Sequence, residues 1–262
     1  MEIKYFGWSS INLLSNGKEL AFDPFYNNIY GTNWASIDDF ENIETICLTH
    51  GHNEHFIDTP KIVDKTKATV VGPKELTDYL KVVEKIKGNL LLPIDTGDQI
   101  ELTEFNIKIF KWNHRIVSPS RYLRGDAQIG LNFATANALL TPKTTKFIGY
   151  IIETKAGQNI VNFSEGLNPL FSKELLESLK KEVGKIDLLI GGIQLNFVDS
   201  VADIVGELKP KDCLFYNPHT MLFNALGLKT RPVRDFIDVT KKISPKTNFK
   251  YLEPRDTYIF NS

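Results

Sequence analysis

The chain has 262 residues, 42% apolar and 24% charged, with a formal net charge of −1. That length suits one domain with a sizeable core, and the balanced charge argues against nucleic acid as the main partner. Two cysteines, Cys47 and Cys213, are too few for a disulfide framework, and both sit in apolar runs that suggest core packing. Residues 3–6, 11–14 and 19–22 alternate as strands do, and Ser15-Asn16-Gly17 reads as a hairpin turn. A short apolar run over 45–49 stops at a histidine. The spacing predicts a helix over 73–87, with Pro73 in its first turn and Leu76, Tyr79, Leu80, Val83 and Ile86 on one stripe. Strands are expected at 99–102 and 106–111, and the stretch 115–145 is less patterned. Two more strands, 147–153 and 159–163, flank Ala156-Gly157.

Later in the chain, 171–183, 199–208 and 233–243 read as helices. Residues 186–190 read as a buried strand before Gly191-Gly192, 214–216 as a strand ending near a histidine, and 258–260 as a closing strand. Mixed segments in both halves suggest an α/β protein with two packed sheets and helices outside. The opening Met1-Glu2-Ile3-Lys4-Tyr5-Phe6 is neither a secretion signal nor a membrane anchor, and no apolar run has the length of a membrane span. The expectation is a single domain over 1–262 in a reducing cytoplasm.

The chain has five histidines, His50, His52, His55, His114 and His219. Three of them fall in Thr49-His50-Gly51-His52-Asn53-Glu54-His55, between a strand and a helix-like run. His50 and His52 lie two apart in extended chain, so both rings can face the same way. Asn53 suits a helix N-cap, which would place Glu54 and His55 in a first turn. Neutral imidazoles with a carboxylate are what borderline divalent metals prefer.

His50-x-His52-x-Glu54-His55 resembles the H-x-H-x-D-H signature of the metallo-β-lactamase superfamily. The rest of the chain follows that family's order. Phe22-Asp23-Pro24 is similar to its early aspartate at a strand end, and His114 and His219 to its isolated ligand histidines. Ser164-Glu165-Gly166 stands where the family has a bridging aspartate. Tyr5-Phe6-Gly7-Trp8-Ser9-Ser10 and Asp23-Pro24 most resemble the subgroup of ascorbate-6-phosphate lactonase and the N-acyl-phosphatidylethanolamine phospholipase D enzymes. The resemblance implies an αββα sandwich with a site at one edge between the sheets. His50, His52 and His114 would hold one divalent ion, and Glu54, His55 and His219 a second. Glu165 would bridge them, and Asp23 would orient a ligand histidine. Zinc is the first expectation, with manganese or iron as alternatives. Both carboxylates are one methylene longer than the family's aspartates, so either backbone or metal must shift.

The implied chemistry is attack by a metal-generated hydroxide on an ester, lactone or phosphodiester of a small molecule, with Glu54 and Glu165 as catalytic carboxylates. Arg115, Arg121, Arg124 and Arg231 are candidates to meet an anionic group, and Trp8 is a candidate pocket residue. The apolar Met221-Leu222-Phe223 could line a pocket or simply pack. A di-iron redox enzyme and a non-catalytic metal-binding relative are the alternatives on the same fold, and relatives of this kind often form homo-oligomers.

Overall fold

The alternation over the first 22 residues folds into a meander. β1 (Glu2–Gly7), β2 (Ser10–Ser15) and β3 (Lys18–Phe22) pair antiparallel in chain order. Asn16 and Gly17 both take positive φ in the turn between β2 and β3. β4 (Ile43–Cys47), β5 (Thr69–Pro73) and β6 (Leu91–Ile94) then add in parallel. Helices α1 (Asn53–Phe56) and α2 (Thr59–Thr66) follow β4, and α3 (Lys74–Val82) follows β5. The second sheet begins antiparallel with β7 (Gln99–Glu101), β8 (Phe105–Lys111), β9 (Ile148–Thr154) and β10 (Asn159–Asn162). It continues in parallel with β11 (Leu188–Gly192), β12 (Asp212–Tyr216) and β13 (Asn248–Tyr251). Its connections carry α4 (Ala127–Leu139), α5 (Lys173–Val183), α6 (Val198–Leu208), α7 (Thr220–Ala225) and α8 (Val233–Ile243). Finally β14 (Thr257–Ile259) returns to the first sheet and pairs antiparallel with β1. This computed structural model describes residues 1–27, 33–115, 125–139, 141–142, 145–193, 197–228 and 230–261.

Each sheet has seven strands among the described residues. Their inner faces share one apolar core, with Tyr5, Leu13, Leu20 and Phe22 from the first sheet against Ile107, Ile109, Tyr150 and Leu214 from the second. Ile62, Val63, Leu76 and Leu80 of α2 and α3 cover the outside of the first sheet. Leu179 of α5, Val201 and Val205 of α6 and Phe236 of α8 cover the outside of the second. The layers are therefore helix, sheet, sheet, helix, the expected αββα sandwich. Each fully buried large apolar side chain contributes roughly 1.5–3 kcal/mol relative to exposure.

Three sequence expectations change. The helix expected over 73–87 is α3 alone. Lys85 takes a left-handed φ of 60°, and the Ile86 N–H bonds back to the Leu80 carbonyl at 3.1 Å, a backbone stop that outweighs the apolar stripe. β5, β6 and β13 are strands too short to announce themselves. The unpatterned stretch contains α4, whose apolar residues do not form a single stripe: Phe133 and Ala136 are buried against Trp8, Phe25, Leu222 and Leu226 while Leu131 is exposed. Among the described residues no helix is long and apolar enough to cross a membrane.

Candidate metal centre

Asp23 follows β3, the His50–His55 segment β4, His114 β8, Glu165 β10 and His219 β12, so these C-terminal strand ends deliver the candidate metal ligands to one rim of the sandwich. Asp23, just past β3, is fully buried and takes a left-handed φ of 43°. An L-residue tolerates this only where its surroundings hold it, and four hydrogen bonds do so. Its Oδ1 accepts the Thr49 N–H at 2.8 Å. Its Oδ2 accepts the hydroxyls of Thr49 at 2.7 Å and Ser164 at 2.9 Å, and lies 2.8 Å from His55 Nδ1.

These bonds settle which ring nitrogens face inward. The Thr49 proton is committed to Asp23, so its oxygen accepts from His50 Nδ1 at 3.0 Å, leaving His50 Nε2 with a bare lone pair. His114 Nδ1 donates to the Arg115 carbonyl at 2.5 Å, which likewise bares Nε2. The Asp23 contact fixes the ring of His55 with Nε2 turned to Glu165 at 3.5 Å. Glu165 follows Ser164, another residue in the left-handed region at φ 50°. Its Oε1 lies 3.5 Å from His55 and 3.2 Å from His219, while Oε2 lies 4.0 Å from His114. Two groups of donor atoms converge among the described residues. One is His50, His52 and His114, and the other His50, His55 and Glu165. His50 Nε2 and His52 Nδ1 stand only 3.0 Å apart.

Burial drives most of the electrostatics. It lowers His50, with the neighbouring imidazoles adding to the effect, and lowers His52 to about 3 and His219 to about 4. It lowers His114 as well. These rings are therefore neutral at pH 7, the form that ligates a metal. Burial would also lower His55, but the Asp23 carboxylate and then Glu165 outweigh it and hold this ring above its ordinary value. Burial would raise Glu165, but His219, His55 and His114 prevail and hold its carboxyl below the usual range. At Glu54 burial, joined by the Glu165 charge, outweighs the lowering by His55 and by the Asn137 hydrogen bond and pushes the carboxyl up to about 7. Neutral imidazoles at His50, His52, His114 and His219, outer nitrogens of His50, His55 and His114 tied back, and a carboxylate among them fit a borderline divalent cation.

A cavity of about 90 Å³ opens beside these residues. His52, Glu54, His114, Glu165 and His219 form its polar floor. Phe133 and Asn137 of α4, with Leu222 and Phe223 of α7, form much of the wall. Arg115 also lines it, its guanidinium 5.0 Å from the Phe197 ring and 5.8 Å from that of Phe223.

The family model described as the metallo-beta-lactamase superfamily matches residues 13–121, and the sandwich superposes on solved structures of that fold. This is a metallo-beta-lactamase-fold protein. A metallo hydrolase from the archaeon Ignicoccus hospitalis matches with a TM-score of 0.69 at 14% identity, over 99% of both chains. An isothiocyanate hydrolase from Delia radicum gut bacteria gives 0.67 at 13%, again over 99% of both. At such identities the likeness is one of fold. Metal-dependent hydrolases of Staphylococcus saprophyticus and Staphylococcus carnosus are 33% and 34% identical over 115 and 116 residues, 44% of this chain and 48% of each relative. The chain thus spans about half the length of these curated relatives, and their names specify no narrower activity.

In this metallo-beta-lactamase-fold protein the structure brings His50, His52, His55, His114, Glu165 and His219 together, with Asp23 behind His55. Glu54 and His219 belong to neither donor group; His219 faces Glu165 at 3.2 Å, and Glu54 lines the cavity beside them. Two substrate candidates move. Arg231 sits in a surface fork, its Nη1 3.0 Å from both oxygens of Asp199 and its Nε 3.3 Å from Asp235, and does not line the cavity. Trp8 is buried rather than lining it, edge-on to His219 at 5.8 Å and stacked on Phe133 at 6.0 Å. Arg121 and Arg124 lie outside the described residues. Sequence reasoning missed Asn137, Phe133, Thr49 and Ser164. Only Thr49 and Ser164, adjoining candidate ligands, carried a usable signal.

Proposed function

We propose that this protein is a metal-dependent hydrolase with a dinuclear site that opens an ester, lactone or phosphodiester of a small molecule. The observation that carries this reading is Glu165, whose two oxygens face different histidines, Oε1 toward His55 and His219 and Oε2 toward His114. That is how a carboxylate between two cations is disposed. His50, His52 and His114 would hold one ion, and His55 and His219 the other. Bound divalent ions would supply Lewis acidity toward a carbonyl or phosphoryl oxygen and an acidified water.

The chain's own groups do the rest. Glu54, in the cavity floor, takes a proton from the attacking water and returns it to the leaving oxygen, so that one water is consumed and an acid and an alcohol depart. Arg115 binds an anionic part of the substrate. Phe133, Leu222 and Phe223 line the cavity and exclude bulk water from its floor.

The test is metal content of protein purified without chelator, followed by p-nitrophenyl acetate, γ-butyrolactone and bis(p-nitrophenyl) phosphate as probes. The expected result is close to two zinc or manganese ions per chain and chelator-sensitive hydrolysis of at least one probe. Two irons would redirect the assignment to redox chemistry. No metal after reconstitution would end the metal-dependent reading.

A further inference from the structure

Helix α1 brings Glu54 and His55 into the centre, yet its N-cap residue, His52, makes no side-chain capping bond. The Asn53 N–H is satisfied from far along the chain, by Asn137 Oδ1 of α4 at 2.8 Å. The same side chain turns Nδ2 to Glu54 Oε2 at 3.0 Å and to the Phe133 carbonyl at 3.2 Å. One acceptor and two N–H groups therefore meet one donor and two acceptors. The flipped amide would set donor against donor at Asn53 and acceptor against acceptor at Glu54, so the partners fix its orientation. Glu54 is one methylene longer than the aspartate of the H-x-H-x-D-H pattern, and Asn137 takes up that extra reach on the cavity side. Glu54 lines the cavity, and its Oε2 is held by Asn137, whereas His219 turns its Nε2 to Glu165 at 3.2 Å.

We propose that Asn137 is a positioning residue that pins Glu54 in the cavity floor, so that Glu54 acts on substrate and holds no metal. The claim about metal stands by itself; the claim about substrate rests on the hydrolase reading. Asparagine supplies both halves of the clamp. Aspartate would keep the acceptor for Asn53 but set a second oxygen against Glu54.

The experiment compares wild type, E54Q, N137D and the E54Q/N137D double variant. Zinc stoichiometry and affinity are read by chelator competition, melting on metal-free protein, and kcat and KM with p-nitrophenyl acetate and bis(p-nitrophenyl) phosphate. E54Q and N137D should keep the wild-type ion count and affinity within about threefold. Their kcat should fall about 100-fold, the scale of a lost acid–base group, with KM within about threefold. The double variant exchanges donor and acceptor across the contact with residue 54 but leaves the Phe133 carbonyl without its donor, so it should regain part of the melting temperature lost in N137D and none of the kcat. Loss of an ion, or of about tenfold or more in affinity, in E54Q would overturn the proposal, as would wild-type kcat in N137D. If E54Q does not fold, E54D gives the same affinity comparison. If wild type cleaves neither probe, the hydrolase reading fails with these substrates, and zinc affinity alone decides whether Glu54 holds metal.

Discussion

Replacing Asp23 with asparagine changes little in shape and much in proton bookkeeping. Oδ1 can still accept the Thr49 N–H, but an NH₂ now occupies the place of Oδ2, where two hydroxyls and His55 Nδ1 converge. The hydroxyls can rotate and accept. Thr49 then turns its proton toward His50 Nδ1, 3.0 Å away. His55 can stay bonded only by carrying its proton on Nε2, the nitrogen that faces Glu165 at 3.5 Å. Two candidate ligand histidines are thus pushed toward the wrong tautomer by one substitution. Loss of such a supporting partner typically lowers metal affinity about 10–100-fold. The lost charge-assisted bond costs about 1.5–3 kcal/mol in the metal-free protein, or roughly 3–12 °C of melting temperature for a chain near this size. Chelator competition reads the first quantity and thermal melting of chelator-treated protein the second. Zinc affinity within twofold of wild type, with an unshifted metal-free melt, would refute the tautomer argument.

Other expectations follow from the same geometry. A methyl group at Gly166 would lie 2.7 Å from the Trp112 ring and 3.0 Å from the Phe163 carbonyl, so G166A should destabilise by about 1–3 kcal/mol; an unchanged denaturant midpoint would show that the rim yields more easily than drawn. R115A should raise KM for an anionic probe by about 10–100-fold and change it little for a neutral ester, and equal effects on both would remove Arg115 from anion binding. Asp23 and Glu165 keep His55 above its ordinary value in the metal-free chain, which favours a ring proton that must leave before the ring can ligate. Zinc uptake should then release about one proton per chain or more, and affinity should rise with pH. Calorimetry in two buffers of different ionisation enthalpy counts the protons, and a count of zero would contradict that protonation.

The histidine cluster was legible because local geometry makes it so: a strand ends, a helix begins, and His50, His52 and His55 have nowhere to point but one rim. Glu165 and His219 were placed only by their order along the chain, since no local pattern ties them to residues more than a hundred positions earlier. Asn137 left no trace. It lies in a helix without an apolar stripe and meets Glu54 across 83 positions. Arg231 shows the opposite difficulty. As a sequence letter it resembles any anion-binding arginine, but Asp235 four residues on was a local hint that its charge is answered nearby, from the first turn of α8. β5, β6 and β13 draw their stability from neighbours on the sheet, which a single strand of four or five residues cannot advertise.

The first half of the chain supplies His50, His52 and His114, one complete donor group, while Glu165 and His219 come from the second. During synthesis His50 and His52 emerge behind β4 of the first sheet and His114 behind β8 of the second, all before the carboxylate and the last imidazole exist. A cation held by that early group would be enclosed only when the rest of the second sheet assembles around β8, so the order of emergence, as much as final affinity, bears on which metal the protein carries.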